Sequence, residues 1–418
     1  MTPSDTTGAL QLDPEVALRR EPFGALAYHY GTRRLTFLRS KKDAALAPRL
    51  AERMKGGLSA PICLTWEITY GCNLACIHCL SSSGRRDPRE LSTDEAKAVI
   101  DELHDLKVFY VNIGGGEPTI RPDFYELVDY AVTRGVGVKF STNGSTITPE
   151  SATRLAGTDY VDVQISIDGA DEATNDAVRG AGSYAAARRA MDALAGAGFG
   201  AFKISVVITR HNVSQLDEFE RLADGYGAQL RLTRLRPSGR GADSWAELHP
   251  SAEQQVSLYQ WLVQRPDVLT GDSFFHLSAL GEPLPGLNLC GAGRVVCLID
   301  PIGDVYACPF VLHPDFKAGS VRDTGGFASV WRSSELFTSL REPASAGACA
   351  SCGSYDACQG GCMAAKFFTG LPLDGPDPEC VKGHGSRLLD SVPAGAAPSP
   401  GPGHSVPVAL TRRRSLAR

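Results

Sequence analysis

The sequence lacks any run of about 18 apolar residues, so no segment is expected to span a membrane. Its first stretch, Met1 to Pro14, is polar and lacks the apolar core of a secretory signal, which points to the cytoplasm. It also lacks an excess of positive charge. The 42 Lys and Arg against 47 Asp and Glu leave a formal net charge of -5, no electrostatic footprint for nucleic acid. What is present is a chain of 418 residues, long enough for two or more folding units, with 43% hydrophobic residues to build a core. There are also twelve cysteines. A reducing compartment disfavours structural disulfides, so metal or cluster ligation is the expected use of these thiols.

The cysteines are unevenly spread. Cys63 stands alone. Cys72, Cys76 and Cys79 form C-x3-C-x2-C. Cys290, Cys297 and Cys308 lie in a Gly-rich stretch, Cys349, Cys352, Cys358 and Cys362 form C-x2-C-x5-C-x3-C, and Cys380 follows. No cysteine occurs between Cys79 and Cys290, which marks a unit without such ligands. In that unit short apolar runs alternate with segments of helical period. Strands are predicted at Ile62–Thr69, Phe109–Gly114, Val136–Ser141, Val161–Ile167, Lys203–Thr209 and Gln229–Thr233, with helices including Thr93–Leu106, Phe124–Thr133, Tyr184–Ala197 and Ser214–Tyr226. Ser92 reads as an N-cap, followed by acidic Asp94 and Glu95 in the first turn. Six βα units imply an α/β fold with a parallel sheet, a partial (β/α)6 barrel, with functional residues at the C-terminal ends of the strands.

The loop after the first strand carries the chemistry. Three thiolates can hold three irons of a [4Fe–4S] cube and leave the fourth open to a ligand. The alternative is a zinc site made from the same cysteines and His78. Gly114-Gly115-Gly116-Glu117-Pro118 follows the second strand. Its glycines permit close backbone approach and Glu117 offers a carboxylate, although a tight turn would look the same. Ser141-Thr142-Asn143-Gly144 and Ser166-Ile167-Asp168-Gly169 end the third and fourth strands, and Arg179 lies in the loop beyond. Each of these is also compatible with a helix cap or turn.

C-x3-C-x2-C behind a first strand, with these strand ends, resembles the radical S-adenosylmethionine (SAM) enzymes. The resemblance implies that Cys72, Cys76 and Cys79 bind a [4Fe–4S] cluster whose open iron is chelated by SAM. It further implies that Gly115, Gly116 and Glu117 meet the SAM amino group, and that Asn143, Ser166, Asp168 and Arg179 meet its ribose and carboxylate. Reductive cleavage would give a 5′-deoxyadenosyl radical that abstracts hydrogen from unactivated carbon. His78 is then expected to pack beside the cluster. The later cysteines match the SPASM extension of this superfamily, which implies two auxiliary [4Fe–4S] clusters. One would be held by Cys290, Cys297, Cys308 and Cys362 and the other by Cys349, Cys352, Cys358 and Cys380, with two zinc knuckles as the alternative. Cys63 is left over and reads as a small buried apolar residue.

Val108–Ile113, Arg234–Gly241, Gly271–Leu277 and Cys290–Cys297 narrow the likeness to the mycofactocin radical SAM maturases, from about Ala60 to Lys382. The resemblance implies a ribosomal precursor peptide ending in Val-Tyr. Its tyrosine would be oxidatively decarboxylated, and the resulting alkene carbon would be joined to the valine side chain in a second SAM-dependent step. It also implies a precursor-binding chaperone and a reductase or flavodoxin-type electron donor. Pro309, directly after the third cysteine of the first auxiliary set, stands where many SPASM enzymes carry an acid, which argues against a side-chain-oxidising sulfatase activator. Val16–Leu38 reads as two strands around Gly31-Thr32 and resembles the start of the precursor-binding chaperone. It is expected to be either a fragmentary peptide-docking hairpin or a hairpin packed on the barrel. The expected organisation is an N-terminal segment 1–60, a radical SAM core 61–285, a SPASM domain 286–382, and a disordered Pro/Ala/Gly/Ser-rich tail 383–418. Two further readings stay open: another SPASM peptide- or protein-modifying enzyme, and a zinc-binding interaction protein.

Overall fold

The structure, a computed structural model, describes residues 15–21, 24–32, 34–39, 56–200, 202–271, 274–285, 289–342, 347–393 and 397–398. Strands β1 (Val16–Glu21), β2 (Gly24–His29) and β3 (Arg34–Arg39) form an antiparallel sheet of their own. Two strands around Gly31-Thr32 were expected there. That turn does join β2 to β3, but β1 adds a third strand, in register from Val16↔His29 to Glu21↔Gly24. This sheet packs against the N-terminal end of the barrel. Tyr28 stacks on Phe109 with ring centroids 5.4 Å apart. Buried Arg19 pairs with Glu21 at 2.7 Å and donates to the Pro61 carbonyl at 2.7 Å.

Six parallel strands follow in chain order: β4 (Cys63–Glu67), β5 (Tyr110–Gly114), β6 (Gly137–Thr142), β7 (Val161–Ser166), β8 (Lys203–Ile208) and β9 (Gln229–Arg234). Helices α1 (Thr93–Asp105), α2 (Phe124–Thr133), α3 (Pro149–Ala156), α4 (Glu172–Arg179), α5 (Ser183–Gly196) and α6 (Leu216–Tyr226) connect or follow them. The N-terminus of α1 forms as the sequence dictates. Ser92 Oγ accepts from Glu95 N, and the Glu95 carboxylate accepts from Ser92 N.

Alternation decides what the strands face. Leu64 and Trp66, Val111 and Ile113, Val163 and Ile165, Ile204 and Val206 belong to one buried core. Removing that apolar surface from water contributes about 25 cal/mol per Å². The alternate positions are polar: Thr65, Asn112, Lys139, Ser141, Ser166, Ser205, Arg231 and Thr233. They remain partly accessible in mid-sheet, whereas their apolar neighbours are buried. A barrel interior is usually packed by side chains. This one keeps space with polar walls.

The sheet does not end at the expected boundary near residue 285. Beyond it, β10 (Leu298–Ile299) pairs parallel to β4, and β11 (Asp304–Tyr306) and β12 (Lys317–Ser320) continue antiparallel, making nine strands. Arg234, at the end of β9, ties in the rest of the cysteine-rich region. It meets Asp377 at 2.5 and 2.8 Å and also pairs with Glu379. The expected disordered tail begins instead with a helix, His384–Leu389. Within it Gly385 packs so close to Asp377 that a Cβ would come within 1.8 Å of its carbonyl oxygen. The remainder of the tail from residue 399 lies outside the described residues.

Candidate active site

The Cys72–Cys79 loop leaves the C-terminal end of β4 and is gripped from three sides. The first grip is the glycine run after β5. Gly116 N donates to Thr69 O at 2.8 Å and Glu117 N to Gly71 O at 2.9 Å. A Cβ on Gly115, whose φ is +123°, would lie 2.4 Å from Thr69 O, and one on Gly116 would lie 1.9 Å from Gly71 O. Close approach therefore requires glycine at both positions. The second grip is the end of β6, where Asn143 Nδ2 donates to Asn73 Oδ1 at 2.9 Å and Asn73 Nδ2 to Ser145 Oγ at 2.7 Å. The third is the segment after β9. Arg240 donates to Cys76 O at 2.8 Å and Ser83 O at 2.9 Å, and a Cβ on Gly239 would meet Leu80 O at 2.4 Å.

Two expected SAM-contacting side chains are placed as braces. Glu117 is 1% exposed. Its carboxylate accepts from Thr142 Oγ1 at 2.8 Å, from Asn143 N at 2.7 Å and from Thr119, so it bolts the GGGEP turn to the end of β6. Asp168 is fully buried and meets Arg179 Nε at 2.6 Å and His78 Nε2 at 2.8 Å, while Oδ1 accepts from Val207 N at 2.7 Å. Burial alone would push the Asp168 carboxyl up. The Arg179 guanidinium and His78 beside it hold it well below the usual carboxylate range. Arg179 also lies electrostatically next to Cys76 and Cys79, and its carbonyl accepts from the Cys76 thiol at 3.9 Å. Ser166, at the tip of β7, faces the open interior.

Burial pushes the Cys72 thiol up to about 12 and raises Cys76 as well. A bound metal would favour their thiolate forms. Cys72, Cys76 and Cys79 are mutual electrostatic neighbours. Among the described residues no three His, Cys, Asp or Glu side chains are close enough to share a single metal ion. The later cysteines sort into two sets. Cys308 neighbours Cys290, Cys297 and Cys362, while Cys349 and Cys358 neighbour Cys352 and Cys380. Cys362 thus leaves its sequence neighbours Cys352 and Cys358 to join the earlier group. The Asp377 carboxylate holds its backbone N–H at 2.7 Å. Cys63 does not pack as an apolar residue. It faces the polar interior and accepts from Asn112 Nδ2 at 3.5 Å.

Motif reading assigned no role to Asn73, Glu67 or Arg240. Glu67 lies inside the barrel, 4% exposed, with one carboxylate oxygen lacking a hydrogen bond. The glycines flanking Arg240 were the available signal, since close backbone approach needs them.

Residues 66–223 match the Radical SAM superfamily, residues 290–353 the SPASM iron-sulfur cluster-binding domain, and residues 9–55 the peptide chaperone MftB family. Over 345 residues the chain is 70% identical to the mycofactocin maturase MftC of Mycobacterium tuberculosis, covering 82% of this chain and 88% of that protein. With the mycofactocin maturase MftC of Mycolicibacterium smegmatis it shares 69% over 355 residues, covering 84% of this chain and 91% of the other. Among solved structures, Streptococcus suis SuiB bound to its precursor peptide SuiA superposes with a TM-score of 0.68 at 17% identity, over 88% of this chain and 99% of that one, a likeness of fold. No helix among the described residues is long and apolar enough to cross a membrane.

Proposed function

Because the chain belongs to the mycofactocin maturases, radical SAM enzymes with a SPASM extension, we propose that it decarboxylates the C-terminal tyrosine of a Val-Tyr-ending precursor oxidatively and then forms the Val–Tyr C–C bond. The observation that carries this reading is the convergence of the Cys72–Cys79 loop and the GGGEP turn at the end of a barrel whose inward positions are polar and partly accessible.

Cys72, Cys76 and Cys79 are the ligands we assign to the SAM-binding cluster, the other eight SPASM cysteines to two auxiliary clusters. Bound SAM and its cluster supply the 5′-deoxyadenosyl radical that abstracts hydrogen. The chain's own residues orient and shield. The backbone of Gly115 and Gly116 would meet the methionyl amino group of SAM. Asn143 and Ser166 line the site from the tips of β6 and β7. Asp168, held by Arg179 and His78, fixes the loop behind them. Arg234 and Asp377 steady Cys362, which would be one of the thiolates holding an auxiliary cluster that could take up an electron. The chaperone-like match at residues 9–55 and the precursor-bound relative in fold support a peptide substrate delivered by a precursor-binding chaperone. We assign the reducing electron to a reductase or flavodoxin-type donor and the enzyme to the cytoplasm.

The test is mass spectrometry of a Val-Tyr-ending precursor incubated anaerobically with reconstituted enzyme, SAM, reductant and chaperone. Loss of carbon dioxide and two hydrogens, with 5′-deoxyadenosine formed, is expected. 5′-Deoxyadenosine with an unaltered peptide would send the substrate assignment elsewhere.

A further inference from the structure

We propose that Arg231 reads the free C-terminal carboxylate of the precursor inside the barrel. The inference rests on the peptide-maturase reading and names the group that selects its substrate.

Arg231 sits in the middle of β9. Its neighbours Leu230 and Leu232 belong to the outer apolar core, so its side chain points inward, where it stays partly accessible to the interior space. Lys203 is paired with Asp162, Arg179 with Asp168 and Arg234 with Asp377 and Glu379, while Lys139 sits over the Tyr110 ring. Arg231 makes no ion pair among the described residues, and its one hydrogen bond runs from Nη1 to Ser205 Oγ at 3.2 Å. Among charged groups Arg236 acts on it most strongly, and Asp162 acts in the opposite sense. The Arg236 guanidinium lies 3.5 Å from the Phe310 ring centroid, donates from Nη1 to Arg234 O at 3.1 Å, and has a buried Nε without a partner. Neither guanidinium forms an ion pair among the described residues, and Asp162 and Glu379 act on them only from further off, so an entering carboxylate would meet two cations outside any salt bridge.

Burial first, and Arg236 second, bring the Arg231 guanidinium down to about 10, so it remains charged at neutral pH. A guanidinium matches a carboxylate fork to fork. The placement suits the chemistry. In the sheet Ser166 pairs with Ser205 and Ser205 with Arg231, so the anchor stands two strands across from a side chain assigned to the SAM site. Gly271 flanks the guanidinium, where a Cβ would already be 3.1 Å from Nη2. A peptide entering C-terminus first would present its only backbone carboxylate to Arg231 and its last side chain to the strand ends.

The experiment compares a precursor ending in a free carboxylate with the same peptide ending in a carboxamide, using reconstituted holoenzyme and chaperone. It measures the peptide concentration giving half-maximal 5′-deoxyadenosine formation. The wild type should respond to the carboxylate peptide at a concentration at least tenfold lower. Arg231→Gln should respond to both peptides alike, and Arg231→Lys should fall between, each checked for iron content and melting temperature. A wild type that does not distinguish the peptides overturns the proposal without any variant, as does an Arg231→Gln that discriminates like the wild type. If Arg231→Gln does not fold, the wild-type and Arg231→Lys responses decide. Failure of the maturase reading itself looks different: no decarboxylated product from the wild type with the carboxylate peptide.

Discussion

Alanine at Gly116 puts a methyl group where the structure has a carbonyl. The new Cβ would stand 1.9 Å from Gly71 O and 3.0 Å from the Cys72 Cβ. Ordinary contact needs about 3.4 Å, so the GGGEP turn and the cluster loop must part by about 1.5 Å. Both hydrogen bonds that join them, Gly116 N to Thr69 O and Glu117 N to Gly71 O, are then lost. Each buried bond broken costs about 1–2 kcal/mol, so the gap costs about 2–4 kcal/mol. That energy falls on the site assigned to SAM, and SAM affinity should drop about 30-fold or more. Anaerobic calorimetric titration of the reconstituted enzyme measures it, with iron per chain determined alongside. Gly196→Ala is the control, since nothing lies within 4 Å of a Cβ there, and it should bind SAM as the wild type does. A Gly116→Ala protein with full iron and SAM affinity within threefold of wild type would refute the reasoning.

Three more outcomes are expected. Arg234→Met leaves Asp377 and Glu379 buried without their cation and should cost about 3–5 kcal/mol; urea denaturation gives the value, and auxiliary-cluster iron should fall before SAM-cluster iron. Asp168→Asn leaves Arg179 facing His78 with no carboxylate, and SAM binding should weaken at least tenfold while iron is retained. Glu67 is pushed up to about 8 by burial and then by Asp300. The folded state therefore binds a proton that the unfolded state has released between about pH 4.5 and 8. Stability from this group falls as pH rises through that window, and Glu67→Gln should flatten the pH slope of denaturation midpoints between about pH 4.5 and 8; an unchanged slope would contradict the burial argument.

Much of this was readable in the residues, for physical reasons. The six strands fall within two residues of where alternation put them because each buries apolar side chains such as Val111 and Ile113 on one face only. The cysteine spacings announced metal chemistry because few other uses need so many thiols. Other features depend on partners far away in sequence. Glu117 and Arg179 were read as SAM contacts, and the partners that hold them, Thr142, Asn143 and Asp168, arrive from other loops and leave no local signal. β10 has two residues, and its pairing with β4 is a long-range contact with no local signal. The third N-terminal strand was missed because β2 follows β1 after only Pro22-Phe23, so the two were read as one continuous strand.

The reconstituted enzyme's effect on a Val-Tyr-ending precursor tests the central claim most directly. With SAM, reductant and chaperone under anaerobic conditions, the account predicts a product lighter by carbon dioxide and two hydrogens, with one 5′-deoxyadenosine per decarboxylation. Cleavage of SAM without any change in the mass of the peptide would contradict it.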